Sequence, residues 1–288
     1  MDNILEETRK IMKKYNIKAN KSLGQNFLIN DNAVTEIIKA SNITNEDLVI
    51  EIGPGLGTLT KEILKKAGKV ICIELDKKMV QILNDRFGND EKFNIINEDV
   101  LKVDLNKIIK EEKETRKLKN AKIVANLPYY ITTPIIMKLL EEKLDLEQIT
   151  VMIQKEVAKR LTAKPGSKET GAITYSIYYY AKAKELLEVK KESFIPAPEV
   201  TSEVIELKIR KEKPIKIENE EEEKKLFKII KNAFTQRRKT LLNALVNTKI
   251  FENKTEGQEI LKKLGLEENI RAEKLTLEDF ANLEKIIK

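Results

Sequence analysis

Amide, acidic, aromatic and glycine residues recur at places where they could do chemistry, and the most specific group is Asn126-Leu127-Pro128-Tyr129. An amide oxygen and a backbone carbonyl can accept hydrogen bonds from the two N–H groups of one amine, and a tyrosine ring can stack on a flat base. The same residues are typical of a strand-to-loop turn, because Pro128 fixes its own backbone and keeps Leu127 extended. Taken alone, the group leaves a catalytic and a structural interpretation open.

A glycine-rich turn, Gly53-Pro54-Gly55-Leu56-Gly57-Thr58, follows the apolar run Leu48-Val49-Ile50-Glu51-Ile52. The run predicts a buried strand, and a helix is predicted from Leu59. Such a turn lets the backbone approach a bound nucleoside closely. The dinucleotide fingerprint is spaced G-x-G-x-x-G, whereas the glycines here stand at 53, 55 and 57. This spacing weakens the interpretation as a nicotinamide-dependent dehydrogenase.

Two acidic residues end the next two predicted strands. Glu74 ends the apolar run that begins at Val70, and it lies 21 residues after Gly53, where a ribose-binding carboxylate is expected. Asp99 follows the short strand Phe93–Asn97, and its carboxylate could accept a hydrogen bond from the exocyclic amine of an adenine. Asp76 is better explained as the first residue of a helix, and Glu98 as a solvated neighbour of Asp99.

The predicted elements alternate between strand and helix, which is typical of an open α/β sheet. A fourth strand, Ala121–Ala125, brings Asn126 to the edge where the glycine turn, Glu74 and Asp99 already lie. Further strands are predicted at 148–153, 185–189 and 201–209, with helices from 134, at 155–161 and at 173–180. The last two strands have no helix between them, so we expect an antiparallel pair at the sheet edge.

Three further segments carry candidate residues or mark a boundary. Phe194, before a proline-stiffened loop, could be a core residue or an aromatic wall of a base pocket. The charged stretch from Lys211 to Glu223 predicts an interdomain linker, after which helices are predicted at 224–234, 239–246, 257–264 and 277–287. Arg237, Arg238 and Lys239 could be a solvated helix end or a patch that contacts phosphates.

Composition excludes several classes of protein. The 288 residues include one cysteine and no histidine, which excludes an internal disulfide, histidine-based catalysis and histidine metal sites, so no metal is expected. The 54 basic and 47 acidic residues give a net charge of +7, which permits a polyanionic partner without requiring one. The start lacks signal-peptide order and no apolar run approaches membrane-spanning length, so we expect a cytoplasmic protein without a membrane partner.

The ordered motifs resemble those of the small-subunit ribosomal RNA adenine dimethyltransferases, the family linked to kasugamycin sensitivity. The resemblance covers nearly the whole chain, and the motifs are strong together although each is weak or moderate alone. The matching stretches are Gly24-Gln25-Asn26-Phe27-Leu28, Glu51-Ile52-Gly53-Pro54-Gly55-Leu56-Gly57, Ile73-Glu74-Leu75-Asp76, Glu98-Asp99-Val100, Asn126-Leu127-Pro128-Tyr129, Gln154-Lys155-Glu156-Val157, Phe194-Ile195-Pro196-Ala197-Pro198-Glu199-Val200 and Ala233-Phe234-Thr235-Gln236-Arg237-Arg238-Lys239. Tyr130 departs from the pattern, since relatives often have asparagine there, and this bears on the shape of the acceptor pocket.

The resemblance implies an α/β fold of the Rossmann-like class I methyltransferase type. Its sheet would have seven mostly parallel strands in a methyltransferase domain at 1–212, followed by a small all-α, RNA-binding domain at 213–288. The implied cofactor is S-adenosylmethionine. The residues implied to bind it are Asn26, Leu28, Gly53, Gly55, Glu74, Asp99, Val100 and Asn126, with Glu74 on the ribose and Asp99 on the adenine amine.

The resemblance also implies the reaction, which is dimethylation of N6 on two adjacent adenosines near the 3' end of small-subunit ribosomal RNA, coupled to late subunit assembly. Asn126, Leu127, Pro128, Tyr129 and Phe194 would form the catalytic group. Arg237, Arg238 and Lys239 would contact RNA within the 30S subunit or its precursor. We expect a monomer.

Two alternatives remain open beside this reading. One is the related macrolide-resistance group, which dimethylates large-subunit ribosomal RNA. Leu127, the loop from Phe194 to Val200 and the length of the helical domain favour the small-subunit assignment. The other is a ribosome-assembly or RNA-binding factor that keeps the fold without catalysis. The sequence argues against this alternative because it keeps the candidate catalytic and cofactor-binding residues Asn126, Tyr129, Glu74 and Asp99.

Overall fold

The computed structural model describes residues 3–20, 23–236 and 238–287, and this part of the chain divides into two compact units. The first consists of Met1–Ala158 and Lys182–Ile209, and the second of Lys159–Ala181 and Arg210–Lys288. The second unit therefore includes a segment from the middle of the chain, which a single boundary after residue 212 does not describe. That segment joins it because its aromatic side chains pack among the carboxyl-terminal helices.

The first unit is built on a seven-stranded sheet. Its strands are β2 (Asp47–Ile52), β3 (Lys69–Glu74), β4 (Phe93–Asn97), β5 (Asn120–Asn126), β6 (Gln148–Gln154), β7 (Ala181–Val189) and β9 (Ser202–Ile209). Their order across the sheet is β4-β3-β2-β5-β6-β9-β7. The five strands from β4 to β6 in this order run parallel, and β9 runs antiparallel to β6. The predicted mostly parallel, Rossmann-like α/β class is confirmed.

Twelve α-helices accompany these strands in the described residues. They are α1 (Ile4–Lys14), α2 (Asp31–Ala40), α3 (Thr58–Leu64), α4 (Lys77–Phe87), α5 (Leu105–Arg116), α6 (Thr132–Glu141), α7 (Lys155–Thr162), α8 (Ala172–Tyr180), α9 (Glu220–Ala233), α10 (Leu241–Asn247), α11 (Lys254–Lys263) and α12 (Leu277–Ile286). None of the helices in the described part of the chain is both long and apolar enough to cross a membrane.

The central strands and the flanking helices show why these segments fold as they do. Every residue of β2 and β3 is buried, as expected of parallel strands covered on both faces. Helix α2 buries Ala33, Val34, Ile37 and Ile38, a helical spacing that points one apolar stripe at the core. The carboxyl ends of β2, β3, β4 and β5 then lie at one edge, and the loops that follow them build the site.

A short antiparallel ribbon lies outside the main sheet. Strand β1 (Phe27–Leu28) pairs with β8 (Phe194–Ile195), with Phe27 opposite Ile195 and Leu28 opposite Phe194. The backbone N–H of Ile29 extends the contact by donating to the Ser193 carbonyl at 2.8 Å. The ribbon holds the loop before α2 against the loop before β9.

The predicted linker from Lys211 to Glu223 is wrong at its end. Helix α9 already begins at Glu220, after the cap residue Asn219, whose side chain accepts from the Glu222 N–H. The charged composition predicted a linker up to Glu223, but acidic side chains in the first turn of a helix interact favourably with the helix dipole. Only residues 210–219 connect β9 to the helix.

The second unit is held together by aromatic and apolar side chains. Tyr175 on α8 is fully buried, donates its hydroxyl to the Leu275 carbonyl at 2.7 Å, and lies edge-on to Phe280 at a ring distance of 5.0 Å. Helix α9 buries four residues at helical spacing, Leu226, Ile229, Ile230 and Ala233. Thr276 and Asp279 form a capping box at the start of α12.

Candidate functional site

A cleft opens at the carboxyl ends of β2, β3, β4 and β5, within the first unit. It encloses about 1060 Å³ including its open mouth, which is ample for a nucleoside with an attached amino acid. The sequence-predicted residues that line it are Asn26, Leu28, Gly53, Gly55, Glu74, Asp99, Val100, Asn126, Leu127, Pro128 and Tyr129. The structure therefore brings these predicted residues together around one space.

The glycine turn between β2 and α3 forms the floor of the cleft. Gly53, Gly55 and Gly57 all have positive φ, at 65°, 58° and 82°, a conformation that other residues adopt only with strain. A side chain on Gly55 would touch the Phe27 ring at 3.4 Å, and one on Gly57 would lie 2.5 Å from the Phe87 ring. The glycines are thus required by backbone conformation, Gly57 also by close packing, and Gly53 and Gly55 line the cleft.

Glu74 places a carboxylate beside this turn. One of its oxygens accepts from the Gly55 N–H at 3.2 Å and the other from the Asp76 N–H at 2.9 Å. Burial raises the pKa of Glu74, and the two backbone hydrogen bonds oppose that rise. The side chain is therefore a fixed acceptor that links the first and second strand ends.

Asp76 has the structural role that its position predicted. Its side chain caps α4 by accepting from the Lys78 N–H at 2.9 Å. Its second oxygen accepts from the Gln25 amide at 2.8 Å, so the cap also holds the loop that precedes β1. The prediction that Asp76 begins a helix is confirmed.

Asp99 and Val100 form the wall at the end of β4. The Asp99 side chain accepts from the Leu101 N–H at 3.0 Å through one oxygen, and Val100 is buried against the cleft. Glu98 is exposed and its carboxylate accepts from the Asp99 N–H at 2.8 Å. Glu98 also lines the cleft, so it is closer to the site than a purely solvated neighbour would be.

Asn126, the last residue of β5, is held by one hydrogen bond that orients its amide. Its Nδ2 donates to the Asn26 carbonyl at 3.2 Å, which connects β5 to the loop before β1. Leu127 is buried, and its N–H donates to the Met152 carbonyl at 3.1 Å. Within the described residues no donor is paired with the Asn126 Oδ1 or with the Leu127 carbonyl. Two consecutive residues at the strand end therefore each keep an acceptor oxygen without a donor among the described residues.

The two tyrosines after Pro128 differ in their surroundings. The Tyr129 hydroxyl hydrogen-bonds to the Ser202 Oγ at 2.6 Å, and burial raises the pKa of Tyr129, so it stays a neutral phenol. Tyr130 is 55% exposed at the mouth of the cleft. Both lie in a single 3-10 turn, Tyr129–Ile131, that leads into α6.

Phe194 is the predicted site residue whose side chain does not reach the cleft. It is 3% exposed and packs in the core with Leu28, Met152 and Val204. Pairing with Leu28 in the β1–β8 ribbon turns its ring into the core. Of the two interpretations that the sequence left open, the structure matches the core residue.

Glu51 is a cleft residue that sequence reasoning did not select. It is 1% exposed on β2, and its Oε2 accepts from the Thr60 hydroxyl at 2.6 Å and from the Cys72 thiol at 3.6 Å. Burial raises the pKa of Glu51 to about 7. A usable signal was present, since an acid within an otherwise apolar buried strand, two residues before Gly53, needs a reason to be there.

The predicted phosphate-contacting residues belong to the second unit. Arg238 and Lys239 are exposed in the turn between α9 and α10, where the Lys239 N–H donates to the Gln236 carbonyl at 2.9 Å. Arg237 lies outside the described residues. The exposed side chains suit contact with a polyanion, as they also suit a solvated turn.

The parallel sheet, the glycine turn and the acids at successive strand ends define the class of protein: a Rossmann-like methyltransferase that uses S-adenosylmethionine. The family described as "Ribosomal RNA adenine dimethylase" matches residues 16–288. The chain belongs to this family.

Individual relatives agree with the family assignment. A protein of Alkaliphilus oremlandii named "Ribosomal RNA small subunit methyltransferase A" is 45% identical over 278 residues, which cover 96% of this chain and 95% of the relative. A Clostridioides difficile protein of the same name is 44% identical over 280 residues, covering 97% and 94%. These relatives span nearly the whole chain, including the helices of the second unit.

Solved structures show the same fold. A dimethyladenosine transferase from Plasmodium falciparum aligns with a TM-score of 0.73 and 25% identity, over 89% of this chain and 95% of that one. The 23S rRNA methyltransferase ErmE aligns with a TM-score of 0.66 and 20% identity, over 91% and 99%. The second comparison supports the fold alone.

Proposed function

We propose that this protein transfers methyl groups from S-adenosylmethionine to N6 of two adjacent adenosines near the 3' end of small-subunit ribosomal RNA. The observation that carries this proposal is the pair of acceptor oxygens, Asn126 Oδ1 and the Leu127 carbonyl, at the end of β5. An exocyclic amine has two protons, and two adjacent acceptors match that number.

The cleft residues fit the proposed cofactor. Gly53 and Gly55, with their positive φ, leave the room that a bound nucleoside needs close to the backbone. Glu74 would accept from the ribose hydroxyls, and Asp99 would accept from the adenine amine through the oxygen that Leu101 does not use. Asn26, Leu28 and Val100 would complete the walls around the nucleoside and its methionine part. A sulfonium cofactor supplies an electrophilic methyl group and leaves as a neutral thioether.

Asn126 would prepare the acceptor nitrogen. The lone pair of an adenine N6 is delocalised into the ring, which makes the nitrogen a poor nucleophile. Hydrogen bonds from its two protons to Asn126 Oδ1 and to the Leu127 carbonyl would localise that lone pair. Because the Asn126 Nδ2 already donates to Asn26, the amide oxygen is the atom directed to the amine. Positioning of this kind accounts for most of the expected catalysis.

Pro128 and Tyr129 would hold the base. Pro128 has φ −58°, a restricted backbone that fixes the direction of the Leu127 carbonyl. The Tyr129 ring, anchored through its hydroxyl to Ser202, would stack on the base after it leaves the RNA stack. Phe194 would act beneath these residues by filling the core rather than by touching the base.

The second unit would supply sequence-independent contacts to RNA. Arg238 and Lys239, with Arg237 beside them in the sequence, would bind RNA phosphates. These contacts would position the RNA substrate without recognising particular bases. We propose that a monomer acts on the 30S subunit or its precursor, in the cytoplasm where ribosomal subunits are assembled. The methyltransferase domain would lie within residues 1–212 and the RNA-binding helices within 213–288, except that the segment 159–181 would belong with the RNA-binding helices.

The central test replaces Asn126 by alanine. Unmethylated small subunits are incubated with labelled cofactor, and the dimethyladenosine formed is measured by nucleoside analysis. We expect Asn126→Ala to abolish methyl transfer while RNA binding is kept, and the exposed Asn106→Ala to behave as wild type. Near-normal dimethylation by Asn126→Ala would refute the role given to the amide.

The same assay identifies the substrate. Naked small-subunit RNA and large subunits are tested beside small subunits, and the modified nucleotides are mapped. Methylation confined to the small-subunit RNA supports the proposal. Methylation of large-subunit RNA instead would replace it with the macrolide-resistance type of reaction.

A further inference from the structure

Arg86, the penultimate residue of α4, is a largely buried charge that the proposed chemistry does not use. Its side chain is 14% exposed, and its guanidinium donates to acceptors on two other elements. One acceptor is the Leu56 main-chain carbonyl in the glycine turn, and the other is the Glu7 carboxylate on α1, at 2.5 Å. A planar guanidinium holds two acceptors in fixed directions. Arg86 therefore connects the amino-terminal helix to the backbone of the turn.

The glycine turn needs support of this kind, because its own conformation is weakly determined. Leu56 stands between Gly55 and Gly57, whose φ values are both positive. Glycine reaches many other conformations at similar energy, so ordering the turn costs conformational entropy. Within the turn, the Gly57 N–H donates to the Pro54 carbonyl at 2.9 Å. The hydrogen bond from Arg86 fixes a further peptide group of the turn from outside.

Helix α1 contacts the same part of the turn in a second way. The Leu56 side chain is 2% exposed and lies in an apolar cluster with Phe27 and Met79. Side chains from α1 and the residues after it pack against this cluster, and they are Ile11, Met12, Tyr15 and Ala19. The Glu7 carboxylate also pairs at 2.6 Å with Lys61 on α3, the helix that follows the turn. The side chain and the carbonyl of Leu56 are thus both held by contacts that involve α1.

The end of α4 packs directly against the turn. A Cβ on Gly57 would lie 2.5 Å from the Phe87 ring and 2.8 Å from Leu83. The Arg86 guanidinium lies 4.8 Å from the centre of the same Phe87 ring, which favours one orientation of its side chain. Two consecutive residues of α4 therefore hold two consecutive residues of the turn.

We infer that Arg86, oriented by Glu7, is a positioning residue for the cofactor. It fixes the Leu56 peptide so that the main chain at Gly53 and Gly55 has its binding conformation before S-adenosylmethionine enters. A turn that is ordered in advance binds its ligand with a smaller loss of entropy. Helix α1 would then raise cofactor affinity, although none of its described residues lines the cleft. The role of Arg86 rests on the cofactor lying beside the glycine turn, as in the proposed function, and not on which RNA is methylated.

The binding test measures the dissociation constant for S-adenosylmethionine by calorimetry, without RNA. We expect Arg86→Gln to raise it about tenfold, a factor typical of coupling between linked sites. Arg86→Lys keeps the charge without the planar fork, so its loss should be smaller. Glu7→Gln should weaken binding less than Arg86→Gln does. The double variant should bind as Arg86→Gln does, because Glu7 acts through Arg86.

Methyl transfer gives a second readout. At saturating cofactor, kcat of Arg86→Gln should stay within about twofold of wild type while KM for the cofactor rises, because a residue that only prepares the binding conformation does not act in the chemical step. An equal loss of kcat would contradict a role in cofactor positioning alone. If Arg86→Gln does not fold, Arg86→Lys and Glu7→Gln decide, and wild-type affinity in both would overturn the inference.

Arg116→Gln is the matched control. Arg116 also donates to a main-chain carbonyl, that of Glu91 at 3.1 Å, and it also pairs with a glutamate, Glu112, at 3.4 Å. Glu91 lies just before β4, whose amino end is at the edge of the sheet opposite to the cleft. We expect Arg116→Gln to bind the cofactor as wild type does. Equal weakening in this control, or wild-type affinity in Arg86→Gln, would overturn the role of Arg86.

Hydrogen exchange separates a local effect from a loss of overall stability. In free Arg86→Gln, peptides that cover residues 53–61 should exchange faster than in wild type, and those that cover β5 and β6 should not. Uniformly faster exchange would mean that Arg86 supports the fold and not the turn. In the wild type, added S-adenosylmethionine should slow exchange at 53–61. Absence of that slowing would refute the cofactor placement in the proposed function, while the two free proteins would still show whether Arg86 fixes the turn.

Discussion

Replacement of Glu51 by glutamine should change how the stability of the protein depends on pH. Burial raises the pKa of Glu51 from 4.5 to about 7, and the hydrogen bonds from Thr60 and Cys72 do not offset it. In the unfolded chain the group returns to its ordinary value. Between these two pH values the folded protein therefore binds a proton that the unfolded chain has lost.

The sign and size of the effect follow from this difference in bound protons. Stability must fall as pH rises whenever the folded state binds more protons than the unfolded state. Each pH unit of the interval is worth about 1.4 kcal/mol, so ionisation of Glu51 lowers the free energy of unfolding by about 3 kcal/mol between the unfolded and folded pKa values. That contribution is fully present below pH about 4.5 and lost above pH about 7.

Glutamine imitates the protonated acid. It has nearly the same shape, carries no charge, and its oxygen can still accept from the Thr60 hydroxyl that lies 2.6 Å from Glu51. We therefore expect wild type and Glu51→Gln to be equally stable near pH 4.5. Above pH about 7 the variant should be more stable by about 3 kcal/mol.

The measurement is urea unfolding of both proteins without added cofactor, followed by circular dichroism from pH 4.5 to 8.5. The informative quantity is the difference between the two free energies of unfolding, because contributions from all other groups cancel in it. Glu91→Gln, at an exposed acid, is the control and should give a difference that does not change with pH. A pH-independent difference for Glu51→Gln would show that Glu51 ionises in the folded protein as it does in the unfolded one.

Two further predictions concern the glycine turn and the basic turn. Gly57→Ala should destabilise the protein by about 2–4 kcal/mol, because the new methyl group would lie 2.5 Å from the Phe87 ring and the backbone has a positive φ. Gly265→Ala is the control, since Gly265 also has a positive φ but no atom within 4 Å of the new methyl group, and it should cost only about 1–2 kcal/mol. Equal losses in thermal or urea unfolding would mean that packing at Gly57 is not the cause. The double change Arg238→Gln and Lys239→Gln should reduce the slope of the logarithm of RNA affinity against the logarithm of salt concentration by about 1.5–2, because each lost phosphate contact removes about 0.7–0.9. An unchanged slope would exclude phosphate contacts there.

The parallel strands were the most predictable part of the fold. The predicted strand Phe93–Asn97 has the observed bounds, and the run from Leu48 to Ile52 differs from β2 by one residue at its start. Continuous apolar runs bounded by glycine and acidic residues explain this success, because both faces of these strands are covered. Because the carboxyl ends of parallel strands lie at one edge of a sheet, the sequence also predicted that the residues at these strand ends lie together. These residues are Gly53, Glu74, Asp99 and Asn126.

Features that depend on distant pairing could not be predicted in this way. The β1–β8 ribbon has two residues in each strand, which is too short for any periodic signal. The side on which Phe194 points depends on that pairing, so the sequence left both interpretations open. The burial of Glu51 depends on Thr60 and Cys72 from neighbouring elements, and the membership of 159–181 in the second unit depends on aromatic contacts made after the chain has folded back.

The β1–β8 ribbon also has a consequence for biosynthesis. Strand β1 lies near the amino end, while β8 follows every strand of the main sheet except β9, so a growing chain on the ribosome cannot form the ribbon until residue 195 has emerged. Until then the ribbon cannot fix the position of Asn26. The amide of Asn126, which donates to the Asn26 carbonyl, is then not held in place by the ribbon either. The catalytic geometry is therefore completed late in synthesis, and the nascent enzyme cannot have its final form while most of its sheet is still being made.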